Sequence, residues 1–350
     1  MIRRLSLISL CVVLFVGVAL ADGGPNHQVR TLQFGSSGSN VNDASRAFCC
    51  GGTLGSLLTD GTAQYILSNN HVLGRSGTAV AGEDVAQPGL IDNGCQVATV
   101  VADFTLAPTL GSSNVDAGIA ALRTGTMDPT GSILDIGTLC SIVNAPSIGL
   151  AVAKSGRTTG FTTGAITAIN TSVSVRYQAG CGKGKKFTVA YTNQVVVGGG
   201  TFSAGGDSGS LIVTNDGANQ PVALLFAGSS TSTIGNPIGE VLTQVGAALG
   251  RPVVFVGGTC VPSAAALSGP VLQVAPTDVD RATKVVNARA HGMLSNGAIV
   301  GVGVGAAEDN PAEAVIVVFV DRTVGATPNV PAFLDGFRVV RVMTDPFVAF

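Results

Sequence analysis

The chain has 350 residues, a formal charge of −2 and only 11% charged residues, which gives no electrostatic basis for nucleic acid or an anionic membrane as partner. It holds 48 glycines and no tryptophan, and its many short runs of Val, Ile, Thr and Ser, punctuated by Gly, Asn and Asp, read as strands and turns of a mostly β protein. A chain this long is expected to build more than one core.

Arg3 and Arg4 precede the apolar run Leu5 to Leu20, and Ala19-Leu20-Ala21 offers small residues for cleavage after Ala21. This predicts a secretory signal peptide over residues 1–21 and a secreted or periplasmic protein. No later stretch is long and apolar enough to span a bilayer, so no membrane partner is expected after cleavage. Cys11 leaves with the signal, and Cys49, Cys50, Cys95, Cys140, Cys181 and Cys260 remain. An even count in an exported chain favours disulfides, but the sequence does not choose the pairing. Adjacent Cys49 and Cys50 cannot easily bond each other. There is no C-x-x-C pair and no co-ligand spacing of histidines, so neither a metal site nor a cofactor is expected.

Residues 22–46 are rich in Gly, Ser and Asn and read as a loosely held N-terminal segment. From Cys50 strands are expected over GTLGSLLTD, Gln64 to Ser68, Asp84 to Gln87, Gln96 to Asp103 and Ala117 to Leu122. His71 follows the second of these, where a strand ends and a turn begins, and Asp116 immediately precedes the last. A second set covers Leu139 to Val143, Ala151 to Lys154, Gly164 to Asn170, Val173 to Tyr177, Phe187 to Val197, Ser210 to Thr214 and Val222 to Ala227. Lys183, Lys185 and Lys186 read as a solvated hairpin tip. Pro237, followed by apolar residues at helical spacing to about Leu249, predicts a closing helix.

A small-residue, Pro-containing linker is expected over 259–275, and an α+β domain over 276–350. Thr277 with Asp280 three residues on reads as a helix N-cap. The helix runs to Leu294, and strands follow over Ile299 to Val304, Ala314 to Asp321 and Phe337 to Thr344. Gly301 to Gly305 has neither the lysine nor the helix that a phosphate loop requires.

The chemistry-bearing stretch is Gly206-Asp207-Ser208-Gly209-Ser210, which sets one hydroxyl between glycines. Backbone there can turn sharply and approach a ligand. A serine nucleophile needs that exposure, and it needs backbone N–H groups aimed at the oxygen that gains charge; the Gly206 and Ser208 amides are the candidates. It also needs a base and a group to orient the base. Of three histidines, His27 lies in a polar N-terminal stretch and His291 near the end of a predicted helix, which leaves His71. Asp116 is the candidate for the third member.

The order His71, Asp116, Ser208 is that of chymotrypsin-like proteases. SNNHVL, NVDAGIA and GGDSGS resemble that family's histidine, aspartate and serine motifs, and Lys154 to Gly160, KSGRTTG, resembles a segment of α-lytic protease and its bacterial relatives. The resemblance covers about residues 45–250. It implies two six-stranded antiparallel β-barrels over residues 47–258, with the cleft between them collecting the three residues, and the α+β domain attached behind. It further implies a serine endopeptidase acting on a peptide or protein substrate, and an ion pair between Arg157 and Asp207. Phe226, Ala227 and Gly228 then belong to a strand whose edge pairs with substrate backbone. Thr201, Phe202 and Ser203 are placed on the wall of the pocket for the residue preceding the scissile bond. None of them is acidic, so a small or apolar residue is expected there rather than Arg or Lys. Two other readings use the same residues: a catalytically inactive peptide-binding protein on a protease scaffold, and an esterase. The C-terminal domain is a candidate to bind a partner or substrate.

Overall fold

The computed structural model describes residues 25–182, 184–260, 273–325 and 328–350. The expected signal peptide, Lys183 of the basic cluster and most of the expected linker lie outside them. Among the described residues, no helix is long and apolar enough to cross a membrane.

The first sheet has eight antiparallel strands: Val254–Phe255, Ser56–Thr59, Gln64–Ser68, Gly118–Leu122, Thr99–Leu106, Asp84–Gln87, Ser36–Asn40 and Gly52–Leu54, in spatial order. Gly52–Leu54 at one edge and Ser56–Thr59 near the other are separated in the chain by Gly55 alone, so the sheet has to curl back on itself. Leu54, Leu57, Ile66, Leu67, Val101 and Ile119 are buried in the hydrophobic core built around this sheet.

In the second sheet six strands close a ring. Lys186–Gly198, Ser232–Pro237, Pro221–Gly228, Leu211–Thr214, Ala151–Gly156 and Gly160–Gln178 pair antiparallel in that order, and Gly160–Gln178 pairs again with Lys186–Gly198. The fold is therefore mostly β, with two curled antiparallel sheets, the second a closed six-stranded barrel. The helix Ile238–Leu249 ends at Gly250, whose left-handed φ of 77° suits glycine. Three disulfides, Cys49–Cys95, Cys50–Cys181 and Cys140–Cys260, complete the body.

Several expectations need correction. Ser36–Asn40, inside the segment read as loosely held, is a fully buried strand. Its sequence SSGSN shows no apolar alternation because its side chains meet polar partners: Gln87 Nε2 donates to Ser36 Oγ at 2.7 Å, and the Leu90 amide donates to Ser39 Oγ at 2.9 Å. Leu139 to Val143 makes only an isolated bridge between Cys140 and Gly258. The two strands expected over 164–177 are one, Gly160–Gln178, and Ser232–Pro237 is a strand that the sequence reading missed. The helix Pro276–Leu294 has no side-chain cap from Thr277: Ala275 is its N-cap residue and a proline opens the first turn.

After that helix, Ile299–Ala306 pairs antiparallel with Gly160–Gln178, so the second sheet continues through Ala314–Asp321 to Phe337–Thr344, the last two running parallel. A final strand, Phe347–Ala349, returns to the barrel and pairs with both Pro221–Gly228 and Gly160–Gln178.

Candidate active site

His71 sits on the one-turn helix Asn70–Leu73 directly after the strand Gln64–Ser68. The two asparagines before it fasten that turn, Asn69 donating to the Asp116 carbonyl at 2.6 Å and Asn70 to the Pro108 carbonyl at 2.8 Å. Asp116 is fully buried. One carboxylate oxygen accepts the His71 amide at 3.2 Å; the other accepts His71 Nδ1–H at 2.6 Å and the Tyr177 hydroxyl at 2.9 Å. The Asp116 amide donates to Asn236 Oδ1 at 3.0 Å. The carboxylate is thus held by the His71 turn and by the strand that carries Tyr177, and it fixes which imidazole nitrogen faces it.

Burial of the imidazole disfavours its charged form, but the adjacent Asp116 carboxylate outweighs this and raises the His71 pKa above its ordinary value, with smaller help from the Phe350 carbonyl and Asp43. Asp43, itself buried, is pushed up to about 6 by desolvation, against the pull of Arg75 and His71. Burial likewise drives the Tyr177 phenol well above its usual range, so it stays a neutral donor to Asp116. The sequence reading gave a site role to neither Tyr177 nor Asn236. Both lie far from His71 and Asp116 in the chain and carry no local signature.

Ser208 is fully buried, and its hydroxyl donates to the Phe226 carbonyl at 3.2 Å. Among the described residues no hydrogen bond joins it to His71. His71 Nε2 instead lies 3.0 Å from the main-chain oxygen of Phe350. His71 lines one pocket with Gly205, Gly206, Ala349 and Phe350, and the strand whose Phe226 carbonyl accepts the Ser208 hydroxyl pairs, at Ala227 and Gly228, with Ala349 and Val348. Gly206 has φ of 99°, a left-handed conformation that glycine adopts without strain. Among the described residues neither the Gly206 nor the Ser208 amide donates to a backbone carbonyl, as amides reserved for a ligand oxygen require.

The expected Arg157–Asp207 ion pair does not form. Arg157 makes a two-pronged bond to Asp92, 2.6 Å from each oxygen, a better geometric match for a guanidinium than a crowded buried carboxylate. Asp207, fully buried, accepts the Thr158 and Thr159 amides at 2.8 and 3.1 Å, and the Thr159 hydroxyl and Ala204 amide at 2.7 and 2.9 Å. Its counter-ion is the equally buried Lys154, at 3.4 Å. Burial lowers the Lys154 pKa while Asp207 opposes that shift. Lys154 lies in the same KSGRTTG segment as Arg157, and its aliphatic stem lets it occupy an interior position the guanidinium does not take.

Of the expected pocket residues, Thr201 is exposed, and Phe202 is buried in the barrel core with Val152, Ile166 and Val197. Ser203 Oγ bonds Thr233 Oγ1 at 2.6 Å and lines a cavity of about 630 Å³ together with Gly200, Ala204, Ser229, Val348 and Phe350. The ring of Phe226 is buried edge-on against Tyr191, its carbonyl accepts the Ser208 hydroxyl, and Ala227 and Gly228 pair with Ala349 and Val348. His27, set aside from the sequence, is a satisfied structural residue bonded to the Gly35 carbonyl and Asp135, each at 3.1 Å.

No protein-family model matches the chain, and no curated protein matches it. Among solved structures, the chain is similar to a glutamic acid specific serine protease that uses a histidine triad in substrate binding, with 24% identity, a TM-score of 0.43, and coverage of 64% of this chain and 99% of that one. Thermobifida fusca Protease A and Cellulomonas bogoriensis chymotrypsin each show 18% identity, a TM-score of 0.43 and coverage of 65% of this chain and 99% of theirs. These solved structures are serine proteases.

Proposed function

We propose that the chain is a secreted serine endopeptidase in which Ser208 is the nucleophile, His71 the general base and acid, and Asp116 the group that orients the imidazole. The observation that carries this reading is the His71 ring, whose Nδ1 is bound to a buried carboxylate at 2.6 Å while its other edge lines a pocket shared with Gly205 and Gly206, the residues just before Asp207 and Ser208. With its proton held on Nδ1, a neutral imidazole presents its lone pair at Nε2. Rotation of the Ser208 hydroxyl from the Phe226 carbonyl to Nε2 supplies the proton transfer that attack on a peptide carbonyl needs. His71 then gives that proton to the leaving amine, and the Gly206 and Ser208 amides hold the oxyanion until water releases the acyl group. Asp207, tied to Lys154 and to the Thr158–Thr159 backbone, has the place of a positioning residue for those amides.

Three disulfides among the described residues fit an oxidising location, extracellular or periplasmic. The Arg3–Arg4 start and the apolar run to Leu20 support export through a cleaved signal. Hydrolysis of matched peptide anilides and alkyl esters, by the chain and by Ser208→Ala, tests the reading. An endopeptidase cleaves the anilides and internal peptide bonds and loses both activities in the variant. Ester cleavage alone would make it an esterase, and peptide binding with no turnover would make it a binding protein.

A further inference from the structure

Residues of the chain itself, Ala349 and Phe350, lie in the pocket that His71 lines. Phe347–Ala349 pairs antiparallel with Pro221–Gly228 in the register Ala227↔Ala349 and Gly228↔Val348, and it points the main-chain oxygen of Phe350 at His71 Nε2 from 3.0 Å. The Phe350 ring is half-buried against the core of the barrel. It rests on Gly228, where an added Cβ would come within 2.8 Å of its Cε2 atom. We infer that residues Phe347–Phe350 are a built-in occupant of the substrate cleft, bound as the acyl half of a peptide substrate is bound, and that the site selects an aromatic side chain at the position Phe350 fills, immediately before the scissile bond. This rests on the endopeptidase reading above and adds to it a substrate class and a means of restraint.

The placement is anchored from several directions. Phe347 is fully buried, with its ring edge-on to Phe319 at 5.6 Å. The Thr344 hydroxyl donates to Ser229 Oγ and accepts from Thr231 Oγ1, both at 2.7 Å, and Arg322 bridges Asp345 and Ser230 at 2.8 and 2.9 Å. Ser229, Ser230 and Thr231 form the turn that directly follows the strand Pro221–Gly228. The C-terminal strands thus grip the same strand and turn that the occupying segment covers. The contact at His71 acts on the base as well. The Asp116 carboxylate and the Phe350 main-chain oxygen can only accept, so an imidazole bonded to both carries a proton on each nitrogen. In that form it cannot take the Ser208 proton.

A tethered segment competes at an effective concentration of about 1 mM or more, so for an intrinsic dissociation constant of about 0.1 mM the cleft is open about one tenth of the time, and release should raise activity about tenfold. The experiment compares the full chain, the chain lacking residues 347–350, and Phe350→Asp. Each is assayed on tetrapeptide anilides carrying Phe, Ala, Glu or Lys before the scissile bond, with and without the hexapeptide Asp-Pro-Phe-Val-Ala-Phe in trans. The expected result is a gain of about tenfold or more in both altered chains, a preference for the Phe anilide, and competitive inhibition by the hexapeptide but not by its version ending in Asp. Hydrolysis at one rate by all three chains, or indifference to the hexapeptide, would overturn the inference and leave the endopeptidase reading standing. Failure of all three chains, each folded by circular dichroism, to cleave any anilide would overturn that reading and the inference with it.

Discussion

Removing Asp207 should cost far more stability than removing its counter-ion Lys154, although the two form one buried pair. In Asp207→Ala the Lys154 ammonium stays inside with only the Gly160 carbonyl at 2.9 Å and the Thr159 hydroxyl, and an uncompensated buried charge costs about 3–5 kcal/mol. The Thr158, Thr159 and Ala204 amides also lose their acceptor, at about 1–3 kcal/mol for each one that water does not reach. Against a total stability of about 5–15 kcal/mol, this variant keeps little margin. Lys154→Met puts an apolar stem in the same interior position and leaves the buried carboxylate without its counter-ion but with four donors, so a loss of about 1–3 kcal/mol is expected. Urea unfolding of the oxidised chains at neutral pH, followed by circular dichroism, gives both numbers. Equal losses, or a larger loss in Lys154→Met, would refute the assignment of Asp207 as the anchor of the loop that carries Ser208.

The His71 pKa is raised, so kcat/KM should rise with pH along an acid limb centred above the ordinary histidine value of 6.5. Asp116→Asn removes the attraction responsible, so the limb should move to lower pH while the rate falls by about 10³–10⁴-fold; a pH–rate profile reads both. Asp43→Asn should stabilise the fold at pH 8. Its folded pKa of about 6 lies above the unfolded 3.8, so its contribution is fully present below the unfolded value and is lost as pH rises through 6. The gain, about 1–3 kcal/mol at pH 8 and absent at pH 3, is read from urea midpoints at the two pH values. Gly228→Val should block the space the Phe350 ring fills and shift anilide preference from Phe toward Ala by about 100-fold, measured as the ratio of kcat/KM values.

The pairing of His71 with Asp116 was legible because the chain has so few histidines and because His71 follows one apolar run while Asp116 precedes another; the two side chains meet at 2.6 Å. Two strands of the closed barrel were legible for a related reason: Phe187 to Val197 is a β-branched and aromatic run and Val222 to Ala227 a short apolar one, each closed by a glycine. Ser36–Asn40 was not, since a strand that buries hydroxyls against Gln87 and Leu90 has no apolar period. The Arg157 partner was misread because the choice between Asp92 and Asp207 is made by three-dimensional geometry between residues far apart in the chain. Phe347–Phe350 gives no local hint of its destination. Its pairing with Pro221–Gly228 depends on the register of the whole C-terminal sheet against Gly160–Gln178.

The most direct measurement on the central claim is the site and rate of phosphonylation when the chain lacking residues 347–350 is treated with a fluorophosphonate and mapped by peptide mass. A single adduct is expected on Ser208, absent in Ser208→Ala and formed about 10³-fold or more slowly in His71→Ala. A folded chain that takes up no label, or one that labels as fast without His71 as with it, would contradict the account.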